Sequence, residues 1–88
     1  MKIQVRDNHI TKGHPICIGE CALALAIKEA TGKNLWVGAT KVFFGSLGDE
    51  NCPHVPLPED AKWFMAQFDR RQQVSPIEFE LPVEEVLK

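Results

Sequence analysis

Five residues of this sequence have side chains that could together hold a zinc ion: His14, Cys17, Cys21, Cys52 and His54. Thiolate and imidazole are the donors zinc prefers, and four of them in tetrahedral array make a structural site. His14 and Cys17 are separated by two residues, Cys17 and Cys21 by three, and Cys52 and His54 by one. A site therefore closes only if the ENCPHV segment crosses the start of a helix. The intervals differ from those of a knuckle or ribbon, whose paired cysteines have two residues between them. Cys21 also lies inside the apolar run CALALAI, where a free cysteine behaves as a small hydrophobe. We expect Cys21 in the core, and neither metal nor other cofactor.

Catalytic patterns are weaker still. The sequence has no Gly-x-Ser-x-Gly elbow and no Rossmann glycine pattern, and its TGK ends a helix where a phosphate loop would open one. The acidic pairs Asp49/Glu50, Glu59/Asp60 and Glu84/Glu85 are adjacent in sequence, as expected of solvated turns and helix starts. His9 has the right chemistry for a base, but no orienting carboxylate or nucleophile stands beside it in the chain. The expectation is a protein that is not an enzyme.

Ligand binding is better supplied. Lys12, His14, Lys33, Lys41, Arg70 and Arg71 can hold phosphate, GHPICIGE delivers a helix N-terminus that favours negative charge, and GSLGDE offers a second backbone cradle. Trp36 and Trp63 are planar platforms of the kind on which bases stack and around which interface energy concentrates. The candidate ligand-binding residues are accordingly Trp36, Lys41, Trp63, Arg70 and Arg71.

The elements that must position these groups can be read from periodicity. MKIQV alternates, with Met1, Ile3 and Val5 on one face, and PIEFELP alternates likewise, with Ile77, Phe79 and Leu81 inward. DNHITKG allows one helical turn, with Asp7 as N-cap and Gly13 as stop. The main helix begins within ICIGE and ends at Gly32. Short antiparallel strands are expected at about Leu35 to Ala39, Lys41 to Gly45 and His54 to Leu57. A second long helix occupies LPEDAKWFMAQFDRR, with Ala61, Phe64, Met65 and Phe68 as its core stripe and Trp63, Gln67 and Arg70 on the other side. The predicted fold is α+β, a small two-layer sandwich with one antiparallel sheet of 4–5 strands and two helices.

The main helix carries apolar residues almost all round, with only Glu20, Ala24, Lys28 and Thr31 as a wettable stripe. Its cover is either its own sheet and second helix or another copy of the chain, and the four alanines permit close approach. At 88 residues the chain is a single domain with a thin core, and a shared pocket between copies would enclose a ligand that one copy cannot. Ten basic and twelve acidic residues give a net charge of −2, without the footprint needed to track duplex nucleic acid. No apolar run approaches the ~20 residues of a membrane span, and Met1 leads directly into a strand pattern, so a soluble protein without a leader is expected. Three cysteines and no leader point to reduced thiols.

Through HITKG, CALALAIKEATG and FDRRQQVSPIEFELP the sequence resembles a broad group of small phage-encoded proteins. The likeness spans nearly the whole chain and consists of packing patterns. It departs in having Ala22 where proline commonly follows the helix cysteine, and in the longer GSLGDENCPHV connection. The resemblance implies an anti-defence role in the host cytoplasm. One form would be a homo-oligomeric sponge that sequesters a cyclic dinucleotide or oligonucleotide signal, as anti-CBASS proteins do. Another would be an inhibitor that masks a host defence protein directly, as an anti-CRISPR does, through the Trp63, Gln67 and Arg70 face. A zinc-stabilised structural module is the third alternative. The resemblance assigns no binding residue.

Overall fold

The computed structural model describes residues 1–14, 19–38 and 40–83. Its elements are β1 (Lys2–Val5), α1 (Asp7–Lys12), α2 (Ala22–Thr31), β2 (Trp36–Val37), β3 (Lys41–Phe43), β4 (His54–Pro56), α3 (Glu59–Asp69) and β5 (Ile77–Glu80). The chain is α+β, as its pattern predicts. The single sheet is not what forms, however. Two antiparallel sheets do: β1 pairs with β5, and β2, β3 and β4 make a separate meander.

Each sheet follows from its alternation. In the first, Ile3 faces Phe79 and Val5 faces Ile77, while Lys2 and Gln4 oppose Glu80 and Glu78 on the wet side. In the second, Val37, Val42 and Val55 are register partners and supply the buried face, and Trp36, Phe43 and His54 are partners on the other. One helix, α2, packs against both sheets, through β1 and β2.

That position also settles what covers the apolar helix. Ala22, Leu23, Ala24, Ala26 and Ile27 are all buried within one copy, between β1, β2, α1 and α3. Ala24, expected in a wettable stripe, is part of this core, and the exposed residues are Glu29 and Ala30. The chain's own elements therefore use the surface of this helix that was expected to be in surplus, and it calls for no second copy. Gly32 ends α2 in the left-handed conformation, with φ of 69°, as expected.

The residues that carry the sequence resemblance are packing devices here. His9 is the third residue of α1, and its Nδ1 accepts from the Arg6 backbone N–H at 2.9 Å, half of a capping box. The N-cap of α1 is thus Arg6 in place of Asp7. Gly13 brings the end of α1 against the start of α2: a Cβ there would stand 2.7 Å from the Ala22 nitrogen and 2.8 Å from the His9 carbonyl oxygen. Cys21 is the N-cap of α2, its Sγ accepting from Ala24 N–H at 3.4 Å.

At the far end of α3 the cap is a Schellman motif, with Arg71 N–H donating to the Phe68 carbonyl and Gln72 N–H to that of Gln67. The residue that takes the left-handed conformation there is Arg71, with φ of 60°, where glycine is usual. The expected stripe of α3 is borne out: Ala61, Phe64 and Phe68 are buried and Met65 packs against them. No helix of the described residues is long and apolar enough to cross a membrane.

Candidate functional site

The two tryptophans are placed differently. Trp63 stands on the outer side of α3 and is 70% exposed, the most open large apolar side chain among the described residues. Trp36 is only 6% exposed. Its ring lies flat against Phe43, with centroids 4.1 Å apart and planes 7° from parallel, and Phe43 in turn meets His54 at 5.4 Å. A flat face of Trp36, a candidate stacking platform, is thus occupied by a neighbour from the adjoining strand. Its indole N–H is buried with no acceptor among the described residues. Such an unmet donor costs about 1 to 3 kcal/mol, which the ring's packing must offset.

Trp63 borders a groove of about 590 Å³ between α3 and the segment that leads into β5. Phe64, Val74 and Ile77 supply its apolar lining, Gln67, Gln73 and Ser75 its neutral polar groups, and Asp60 and Glu78 two carboxylates. No lysine or arginine lines it among the described residues. Why the groove exists follows from α3. Phe64 and Phe68 turn into the core, and the helix period then leaves Trp63 and Gln67 on the flank. The Schellman turn reverses the chain so that residues 73–78 return alongside.

Glu78 is fixed from β1, with Gln4 Nε2 donating to one carboxylate oxygen at 3.0 Å and Lys2 Nζ 3.1 Å from the other. The Gln4 hydrogen bond, and after it Lys2, holds the Glu78 carboxyl below its ordinary range, so it is a carboxylate at neutral pH. Asp60 sits in the first turn of α3, where the helix dipole favours its charge. It has no ion-pair or hydrogen-bond partner among the described residues.

The expected cations are scattered. Arg70 and Arg71 are exposed beyond α3 and do not line the groove. Lys41 is exposed on β3, opposite Pro56 and on the same outer face as Phe43. Of the five candidate residues, Trp36 and Lys41 thus belong to the meander, and Trp63, Arg70 and Arg71 to α3 and the turn after it. The backbone cradle at GSLGDE is closed on itself: Asp49 N–H donates to the Ser46 carbonyl, and the Asp49 carboxylate accepts from Asn51 N–H at 2.9 Å.

The zinc constellation is not assembled among the described residues, which contain no group of three or more potential ligands; Cys17 and its neighbours 15–18 lie outside them. Cys21 caps its helix from the core, and Cys52 donates to the Asp49 carbonyl at 2.9 Å. His14 stands 3.8 Å from Glu20, and both are well exposed.

His9 acquires the carboxylate partner that the sequence does not place beside it. Its Nε2 lies 2.7 Å from Glu29 Oε2, twenty residues away on α2. With Nδ1 accepting from backbone, the ring proton is on Nε2 and donates to Glu29. This hydrogen bond is the main cause that holds the Glu29 carboxyl below its ordinary range, with Arg6 and Lys12 adding to the effect. Both ring nitrogens are therefore engaged and His9 is only 4% exposed, so the pair is built to tie α1 to α2 and leaves no nitrogen for a substrate.

No family model, curated protein or solved structure matches this chain.

Proposed function

We propose that this protein is a non-catalytic binding module that captures a partner polypeptide in the groove beside Trp63. The observation that carries the reading is an indole 70% open to water on the lip of a concave, partly apolar surface. Concave sites with an aromatic anchor and a few polar groups are where binding energy concentrates. Of the roles implied by the resemblance to small phage proteins, direct masking of a host defence protein fits this surface best, because Trp63 and Gln67 both line the groove. Sequestration of a cyclic nucleotide fits it less well: a phosphate there would face Asp60 and Glu78 with no cation lining the walls. A module without catalysis is also in keeping with a His9 whose two nitrogens are both taken.

The test is a displayed random-peptide library panned against the wild-type protein and counter-selected on Trp63→Ala. Enriched sequences that bind the wild type and lose binding to the variant support the reading. Enrichment that survives Trp63→Ala, or a selective thermal stabilisation by one cyclic dinucleotide growing as RT ln(1 + [L]/Kd), would overturn it.

A further inference from the structure

Resting on the reading of this groove as a polypeptide site, we propose that its occupant is an arginine-bearing segment, with the guanidinium laid on the Trp63 indole and bonded to the acids and amides around it. Three features of the walls point the same way. The first is the sign of the charge. Asp60 and Glu78 are the only ionisable side chains in the lining among the described residues, and both are acids. Glu78 shares its charge with Lys2, but Asp60 is unpartnered among the described residues, so the groove keeps an unneutralised carboxylate at its rim. Carboxylates on the wall of a groove favour a cation there and disfavour a second anion.

The second is the aromatic. An indole is the best of the side-chain faces for a cation, and a planar guanidinium both stacks on it and is attracted by its quadrupole. Trp63 has no ring partner among the described residues, unlike Trp36, whose face Phe43 covers. The third is the count of acceptors. Gln67, Gln73 and Ser75 add neutral oxygens beside the two carboxylates, and none of these three side chains has a partner among the described residues. An arginine head presents five N–H donors in a fixed fork, which a spread of acceptors of this kind can satisfy, whereas a lysine presents three from one point. At about 590 Å³ the groove also has room for apolar neighbours of the arginine against Phe64, Val74 and Ile77.

The experiment is a titration of 15N-labelled protein at low salt with N-acetyl-arginine amide, N-acetyl-leucine amide and N-acetyl-glutamate amide, following the two indole N–H signals and the backbone amides of Gln67 and Ile77. The arginine compound should move the Trp63 indole N–H, Gln67 and Ile77 saturably and leave the Trp36 indole N–H in place. Added salt should weaken the response, and Asp60→Asn should reduce affinity about two- to fivefold. A leucine compound that moves the same signals as strongly would overturn the arginine assignment and leave the groove as a polypeptide site. A stronger response to glutamate, or unchanged affinity in Asp60→Asn, would overturn it as well. Silence from all three compounds, together with a peptide library that enriches nothing at Trp63, would remove both readings.

Discussion

Trp36 and Trp63 are the same side chain in two settings, one on a strand and shut, the other on a helix and open. Trp36 gives up its indole hydrogen bond and gains a stacked Phe43, so its contribution is to the fold. Trp63 keeps its ring in water, a position with nothing to gain from folding. The difference teaches that residue type marks a candidate, while the neighbours a fold supplies decide whether its surface is available. It also sets a closed side, where α1 and α2 meet β1 and β2, against an open side along the outer flank of α3.

The largest expected contrast comes from truncating each ring. Trp36→Ala should cost about 3 to 5 kcal/mol in chemical denaturation, as removal of a buried aromatic does. Trp63→Ala should lie within about 0.5 kcal/mol of wild type, since an open side chain has little packing to lose. Equal losses would erase the distinction between the two sides.

On the closed side, Gly13→Ala should destabilise by about 1 to 3 kcal/mol, because its added methyl meets backbone atoms of α1 and α2 that cannot rotate away. An unchanged melting temperature would show that the α1–α2 contact is looser than described. Near the open side the sign reverses: Arg71→Gly should stabilise by about 1 kcal/mol by relieving a left-handed residue that has a Cβ. If that substitution also weakens capture of peptides selected on Trp63, Arg71 belongs to the binding face after all.

The smallest effect is in acid. The Glu29 carboxyl is held below its ordinary range, chiefly by the hydrogen bond from His9, so that bond contributes fully above the pH at which an unfolded carboxyl titrates and is lost as the pH falls through the lower folded value. Stability of Glu29→Gln should therefore fall less steeply than that of wild type across this acid window. Parallel acid limbs would mean that the α1–α2 tie does not depend on the carboxylate.

Much of this division was readable in the chain, and the failures have physical causes. The alternation in MKIQV and PIEFELP identified both strands and, Met1 apart, their inward residues, and the helical period of α3 identified Phe64 and Phe68 as core and Trp63 as outer. Alternation says which residues share a face, but not what covers it. That is why the strand pattern alone does not reveal the stacked Phe43 that closes over Trp36. It also says nothing of which strands pair, so β1 and β5 were assigned to one sheet with the meander. Helix ends were read from glycine; Gly32 obeyed, whereas the turn after α3 uses Arg71, a residue type that gives no such signal. The groove itself was half legible. Asp60, Trp63 and Gln67 fall on one helix flank by period, but Val74, Ile77 and Glu78 join them only because the chain turns back after α3. The His9–Glu29 tie, between residues twenty apart on different helices, had no local mark at all.

Collisional quenching of tryptophan fluorescence by caesium and by iodide, each normalised to N-acetyl-tryptophanamide, tests the account most directly because it needs no ligand. An open Trp63 beside Asp60 and a sealed Trp36 predict one quenchable and one protected emission, with caesium favoured over iodide at the quenchable ring. Uniform quenching of both indoles, or a preference for iodide at Trp63, would contradict it.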